Sequence, residues 1–366
     1  MDICDLAPGY VRAIAPYQPG KPISELAREL GLEESGIIKL ASNENPLGVS
    51  PLARRAIETA IADLARYPDG NGFELRQALS RRLGVAPECI VLGNGSNDVL
   101  EMSARAFLAP GLEAVYSQHA FAVYPLAVQS AGAAGVEVPA KDYGHDLAAM
   151  RRAIMPKTRI VFIANPNNPT GTMVRARELE DFIAALPREV LVVLDEAYNE
   201  YLPDDLRPDS IGWLKRYPNL VVTRTFSKIY GLAGLRVGYA IAAAGIADLF
   251  NRVRQPFNVN SVALAAAAAA LEDTNFVRRS HDLNLKGMRQ LTEGFRRLGL
   301  EYIPSYGNFV SFRVTDAAGV FQKLLKAGVI VRPIASYGMP QHLRVTIGLE
   351  SENDRFLGSL QKALAA

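Results

Sequence analysis

The chain has 366 residues, 49% apolar and 21% charged, with a net charge of +2; this predicts roughly two domains and gives no basic or acidic surface suited to nucleic acid. Its two cysteines, Cys4 and Cys89, exclude a disulfide framework, and no His/Cys spacing suits zinc, so no metal is expected. Met1-Asp2-Ile3-Cys4-Asp5 lacks the pattern of an export leader and no run of about 18 apolar residues has membrane character, so a cytoplasmic protein with no membrane partner is the expectation.

Residues 1–60 read as irregular, apart from three short elements. Ile23–Leu30 has a helical pattern stopped by Gly31. Ile37–Leu40 predicts a strand that leads into the polar loop Ser42–Gly48. Ser50 caps a helix that starts at Pro51 and ends before Tyr67-Pro68. From about 70 to 250, strands alternate with helices. Helices are predicted over Glu74–Leu83 and Ser96–Phe107, and strands over Cys89–Leu92, Ala114–Tyr116, Ile160–Ile163, Val190–Leu194 and Leu220–Thr223. Several of these strands are short, wholly apolar and β-branched, as suits strands buried on both faces of a mainly parallel sheet. The Ala265–Ala270 run predicts a tightly packed helix, followed by a long polar helix over about 276–298. Then come strand Phe309–Val314, helix Ala317–Ala327, strands Val329–Pro333 and Leu343–Ile347, and helix Glu352–Leu364. The expected class is α/β: a large domain with a mainly parallel central sheet flanked by helices, plus a smaller α+β domain. The expected division is an N-terminal arm with the first part of the small domain over 1–60, the large domain over 61–265 and the C-terminal small domain over 266–366.

Three apolar strands run into polar chemistry: Asn165-Pro166-Asn167-Asn168-Pro169-Thr170-Gly171, Asp195-Glu196-Ala197-Tyr198 and Thr225-Phe226-Ser227-Lys228. Parallel strands would bring these ends to one edge, where open α/β sheets collect ligands. A lysine at the end of a buried strand loses its proton easily and can form an imine. Thr225, Ser227 and Arg236 beside it suit a phosphate dianion. Gly93-Asn94-Gly95-Ser96-Asn97 follows a strand and opens a helix, a second phosphate-binding feature. One aldehyde and one phosphate in that arrangement is pyridoxal 5′-phosphate. Asp195 at a buried strand end suits a protonated pyridine nitrogen, and Tyr198 and Asn168 suit the ring's phenolic oxygen. Phe121, after another strand end, offers a flat ring to stack on the cofactor. Singly, each residue has a structural use: Lys228 as surface charge, Asp195 as a turn cap, Tyr198 and Phe121 as packing. Arg344, in the alternating strand, is either a solvated charge or a clamp for a carboxylate or phosphate, with Arg332 on the adjacent apparent strand. A dinucleotide site is disfavoured, because Asp98 stands where the third glycine would be.

Together with Pro16–Gly20, Leu40–Gly48, Arg66–Gly70 and His342–Gly348, these motifs resemble the fold type I pyridoxal-phosphate aminotransferases over nearly the whole chain, and within them the histidinol-phosphate aminotransferase family. The resemblance implies that Lys228 carries the cofactor and shuttles the proton, and that Asp195 pairs with the pyridine nitrogen. It implies that Tyr198 and Asn168 hold the phenolic oxygen, that Gly95, Ser96, Asn97, Thr225, Ser227 and Arg236 hold the phosphate, and that Phe121 stacks on the ring. Arg344 would clamp the substrate anion, with Arg332, Tyr17 and Asn43 in the same pocket. Tyr67 would reach the neighbouring subunit's cofactor phosphate, which implies a homodimer with shared sites. The implied reaction joins histidinol phosphate with glutamate and 2-oxoglutarate. The rivals are an aromatic amino-acid aminotransferase, an amino-acid-phosphate decarboxylase of the same fold and a non-catalytic relative.

Overall fold

The computed structural model describes residues 2–365. In chain order its strands are β1 (Ile38–Lys39), β2 (Ile90–Gly93), β3 (Glu113–Ser117), β4 (Ala134–Val138), β5 (Thr158–Ala164), β6 (Leu191–Asp195), β7 (Leu220–Thr225), β8 (Gly238–Ala242), β9 (Phe309–Arg313), β10 (Val329–Ile330), β11 (Arg332–Pro333) and β12 (His342–Thr346). Seven form one sheet in the order β2-β8-β7-β6-β5-β3-β4. Only β8 runs antiparallel to its neighbours β7 and β2.

The apolar runs sort their side chains onto the sheet's two faces. Val161, Ile163, Val192, Leu194 and Val222 enter one core, and Ile160, Phe162, Leu191, Val193 and Val221 enter the other. A strand covered by helices on both sides has no polar face, which is why these segments show no alternation. The alanine-rich helix spans Ser261–Glu272 and starts on the Asn260 side-chain cap. Its Ala263, Ala266, Ala267 and Ala270 pack in the first core with Ala53, Leu75 and Leu79, so small side chains let helices approach closely. Residues on both sides of position 265 therefore sit in the large body.

A second body forms around the antiparallel sheet β11-β12-β9. Its core joins Phe295, Phe312, Leu343, Val345, Phe356 and Leu360. The early chain enters it: β1 pairs in parallel with β10, and the Leu40 carbonyl accepts from the Thr346 N–H.

The expected single strand Val329–Pro333 is two. β10 belongs with β1 and β11 with β12, and the chain changes sheets at buried Val331. In the segment 1–60 the expected helices stand at Ile23–Leu30 and Pro51–Ala60, and a short helix at Gly9–Arg12 is added where irregular chain was expected. Two strands escape the sequence patterns. β4 is a largely exposed edge with Gly135 inside it, and β8 alternates the small residues Gly238, Ala240 and Ala242 with Tyr239 and Ile241. No helix among the described residues is long and apolar enough to cross a membrane.

Candidate active site

β5, β6 and β7 lie side by side and parallel, so their carboxyl ends deliver Asn165–Thr170, Asp195–Tyr198 and Thr225–Lys228 to one edge. β3 neighbours β5 although β4 intervenes in sequence, so the strand order reverses there. A crevice opens at such a reversal, and Phe121 enters it from beyond the end of β3. A cavity of about 190 Å³ gathers Lys228, Asp195, Tyr198, Asn168, Phe121, Ser96, Asn97, Thr225, Ser227, Arg236, Asn43, Tyr17, Arg332 and Arg344. Gly95 lies directly beneath the Arg236 guanidinium, and a Cβ there would stand 2.5 Å from Nη2. Tyr67 is outside the cavity, 83% exposed and stacked on Phe257 at 4.8 Å.

The amine of Lys228 is held by the carbonyls of Ser42 and Asn43 at 3.2 and 3.3 Å. Burial, followed by the Arg344 charge, pulls its pKa down to about 7. Such an amine is available as a nucleophile and base near neutral pH. Asp195, 5% exposed, has the opposite problem: burial pushes its carboxyl up. Its Oδ1 accepts from the Ala197 N–H at 3.1 Å, and its Oδ2 from the Tyr124 hydroxyl at 3.0 Å. A buried carboxylate with only neutral donors suits a cationic ligand atom.

Tyr198 is buried, which pushes its phenol up to about 12, and its oxygen accepts from Asn43 Nδ2 at 2.9 Å. Asn168 directs its carbonyl oxygen to Arg344 Nη1, leaving its amide nitrogen for another partner. Both asparagine–proline bonds around it, at 165–166 and 168–169, are cis. Arg236 donates to the Ser227 hydroxyl at 3.1 Å, and Gly95 precedes the twelve-residue helix Ser96–Phe107. Backbone donors at that helix start, two hydroxyls and a guanidinium make an anion cradle.

The other wall comes from the small sheet. Arg332 and Arg344 are direct cross-strand partners on β11 and β12. Arg344 is 6% exposed, donates from Nη2 to the Ala41 carbonyl at 2.8 Å, and lies 5.2 Å from the Phe309 ring centre. Its Nε is buried with no hydrogen-bond partner among the described residues. Arg332 donates to the Gln18 carbonyl at 2.7 Å and sits 5.7 Å from the Tyr17 ring centre. Asn43 lines the cavity, but its side chain is engaged by Tyr198 and by Thr346 at 3.2 Å. It acts here as a tie between the two walls more than as a free substrate contact.

Sequence patterns missed Tyr337, which follows β11 on a short 3-10 turn and also lines the cavity. They missed Tyr124 too, although it lies three residues after Phe121 at the start of the helix Val123–Ser130. An i, i+3 pair of aromatics behind a strand end was the available signal.

A mainly parallel sheet with a lysine, an acidic strand end and an anion cradle at one edge is the architecture of a fold type I pyridoxal-phosphate-dependent transferase. The residues fit that cofactor: a depressed lysine for its aldehyde, a buried carboxylate for its ring nitrogen and a cradle that a Cβ at Gly95 would fill.

The family model "Aminotransferase class I and II" matches residues 35–360. The chain is 63% identical over 365 residues to histidinol-phosphate aminotransferase 2 of Nitrosospira multiformis, covering 100% of this chain and 93% of that protein. It is 64% identical over 360 residues to histidinol-phosphate aminotransferase of Methylobacillus flagellatus, covering 98% of each. Its fold matches the crystal structure of histidinol-phosphate aminotransferase from Sinorhizobium meliloti in complex with pyridoxal-5′-phosphate, with a TM-score of 0.89 at 29% identity, covering 98% of this chain and 97% of that one. Aspartate aminotransferase from Thermus thermophilus with maleate superposes with a TM-score of 0.83 at 25% identity, covering 97% of this chain and 98% of that one. The chain belongs to the aminotransferase class I and II family and, within it, to the histidinol-phosphate aminotransferases. It is a pyridoxal-phosphate-dependent aminotransferase.

Proposed function

We propose that this enzyme moves the amino group of L-histidinol phosphate to 2-oxoglutarate, giving imidazole acetol phosphate and L-glutamate in histidine biosynthesis. One juxtaposition carries the reading: Arg344 and Arg332 are cross-strand partners opening on the same cavity as Lys228. Glutamate has two carboxylates, and histidinol phosphate has a phosphate in place of the α-carboxylate. Arg344, with a buried Nε left over, can take either anion in turn, and Arg332 and Tyr17 assist at the cavity mouth. The relatives that bear the histidinol-phosphate name support the same substrate.

When bound, pyridoxal phosphate supplies an aldehyde that takes the amine and a cationic ring that accepts electrons from the adjoining C–H bond. Lys228 Nζ moves the proton at that carbon, since its pKa of about 7 leaves it partly neutral at physiological pH. Asp195 holds the ring nitrogen by its charge, Phe121 stacks on the ring, and Tyr198 and Asn168 donate to the phenolic oxygen. Gly95, Ser96, Asn97, Thr225, Ser227 and Arg236 hold the phosphate. The exposed Tyr67 is the residue we assign to a second subunit's phosphate, in a cytoplasmic homodimer with shared sites. The large body around the seven-stranded sheet is the cofactor domain. The small body, built from both chain ends, is the substrate domain.

The test is single-turnover kinetics with histidinol phosphate, phenylalanine and tyrosine on one preparation. The expected winner is histidinol phosphate. A clear win for phenylalanine or tyrosine makes the protein an aromatic aminotransferase, and carbon dioxide release from an amino-acid phosphate makes it a decarboxylase.

A further inference from the structure

Asp195 cannot set its own orientation. It ends β6 at the rim of the cavity; the Ala197 N–H donates to its Oδ1 and the Tyr124 hydroxyl to its Oδ2, and the Thr223 hydroxyl of β7 also favours its charged form, less than Tyr124 does. The first is backbone and follows from the turn. The second is a side chain from a different element, the helix Val123–Ser130, and its placement depends on packing. Tyr124 is fully buried. Its ring stacks on Phe162 of β5 at 4.9 Å with an interplanar angle of 8°, and meets Phe121 edge-on at 5.9 Å. Phe162 belongs to the sheet and Phe121 lines the cavity. The hydroxyl is therefore fixed by two rings packed on that of Tyr124, one of which is the residue assigned to stack on the cofactor.

We propose that Tyr124 is a positioning residue: its hydroxyl, locked by Phe162 and Phe121, aims the Asp195 carboxylate at the ring nitrogen of the cofactor and holds that carboxylate in its charged form. This rests on the assignment of Asp195 to the ring nitrogen. Burial and the neighbouring Asp195 charge raise the phenol well above its ordinary value, so the donor keeps its proton throughout the working pH range. Burial pushes the Asp195 proton affinity up, and the hydrogen bond from Tyr124 pushes it down. A phenol does this without adding a positive charge that would compete with the ring nitrogen for the carboxylate. The same cluster couples two residues that would hold the cofactor and would otherwise be set separately, Asp195 and Phe121.

The variant Tyr124→Phe removes only the hydroxyl and keeps both ring contacts. Its test is the affinity of the apoenzyme for two probes: pyridoxal phosphate, and the analogue in which the ring nitrogen is replaced by C–H. Wild-type protein should prefer the natural cofactor. In Tyr124→Phe that preference should shrink by at least about fivefold, through weaker binding of pyridoxal phosphate with little change for the analogue. The thermal midpoint of the apo form, read alongside, should stay close to wild type. If both probes weaken equally, or neither weakens, the hydroxyl is only packing and the proposal is wrong. If wild-type protein itself does not distinguish the two probes, the assignment of Asp195 to the ring nitrogen fails first, and this inference with it. A double variant with Asp195→Asn sharpens the result: removing Tyr124 in that background should change cofactor affinity far less than in wild type.

Discussion

The cofactor side of the cavity rests on the carboxyl ends of β5, β6 and β7, neighbouring strands buried on both faces. The substrate side rests on β11 and β12 of a three-stranded sheet and on the N-terminal segment around Tyr17. On the first side Asp195 is 5% exposed, and Lys228 is held between two backbone carbonyls. On the second, Tyr17 is 51% exposed and Arg332 is tied down by a single backbone carbonyl at Gln18. Arg344 belongs to the second side by sequence but is buried like the first, and it is joined to it through Asn168. Chemistry needs atoms held to fractions of an ångström, so it sits where the backbone is tied on both faces. Two substrates of different shape must enter in turn, so their contacts sit where side chains can adjust.

The comparison breaks most plainly at Lys228. Lys228→Ala should lower turnover by at least about 10²–10⁴-fold while pyridoxal phosphate still binds, because it removes the proton carrier and leaves the cradle. Near-normal turnover, followed with either substrate, would remove this residue from the chemistry. Next comes Arg344→Ala, expected to cost both half-reactions about 2–5 kcal/mol, as when one partner of a buried charge pair is truncated. Separate stopped-flow measurements of the two halves check it, and damage to only one would show that the clamp is not shared.

A backbone-level prediction follows from the cradle. Gly95 has φ +78°, and a Cβ would crowd Arg236. Gly95→Ala should destabilise the apo form by about 1–3 kcal/mol in urea and weaken cofactor binding. Unchanged values for both would mean that the loop relaxes and the cradle is not as tight as its geometry.

Lys228 also makes apo stability depend on pH. Its folded value, about 7, lies below the ordinary 10.5. Between these values the unfolded chain binds the extra proton, so stability rises with pH across that window, and the cost of burying the charge is complete below about 7. Lys228→Met should therefore melt higher than wild-type apoprotein at pH 6. The difference should be roughly 1–3 kcal/mol, less than full linkage because the cavity admits water, and should fade toward pH 10. A difference that stays constant with pH would show that the amine titrates normally. The smallest effect is expected at the adjustable wall. Arg332→Ala should raise KM by about fivefold, near 1 kcal/mol, and leave kcat nearly unchanged. A large loss in kcat would place Arg332 with the chemistry.

The chain's local patterns carried much of this architecture. The helix Ser96–Phe107 follows its predicted bounds, and the apolar runs at 160–163 and 220–223 begin or lie within β5 and β7. Ser50 and Gly31 cap the helices they were expected to cap. The candidate site was legible for the same reason: in a parallel sheet a polar motif directly behind an apolar run must appear at the ligand edge, so order along the chain becomes position in space. Tertiary structure decided the rest. Nothing local shows that Val331 is where the chain leaves one sheet for another, since Val329–Pro333 reads as one extended run and only the partners β1 and β12 divide it. Asn43 reads as a pocket residue, and only folding ties it to Tyr198 and Thr346, 155 and 303 positions away. Sequence patterns passed over Tyr124; it is buried in the core, and what makes it more is the carboxylate that β6 brings to 3.0 Å from its hydroxyl. Periodicity and capping are local energies and are written locally, whereas a hydrogen bond across the fold depends on where two distant backbones come to rest.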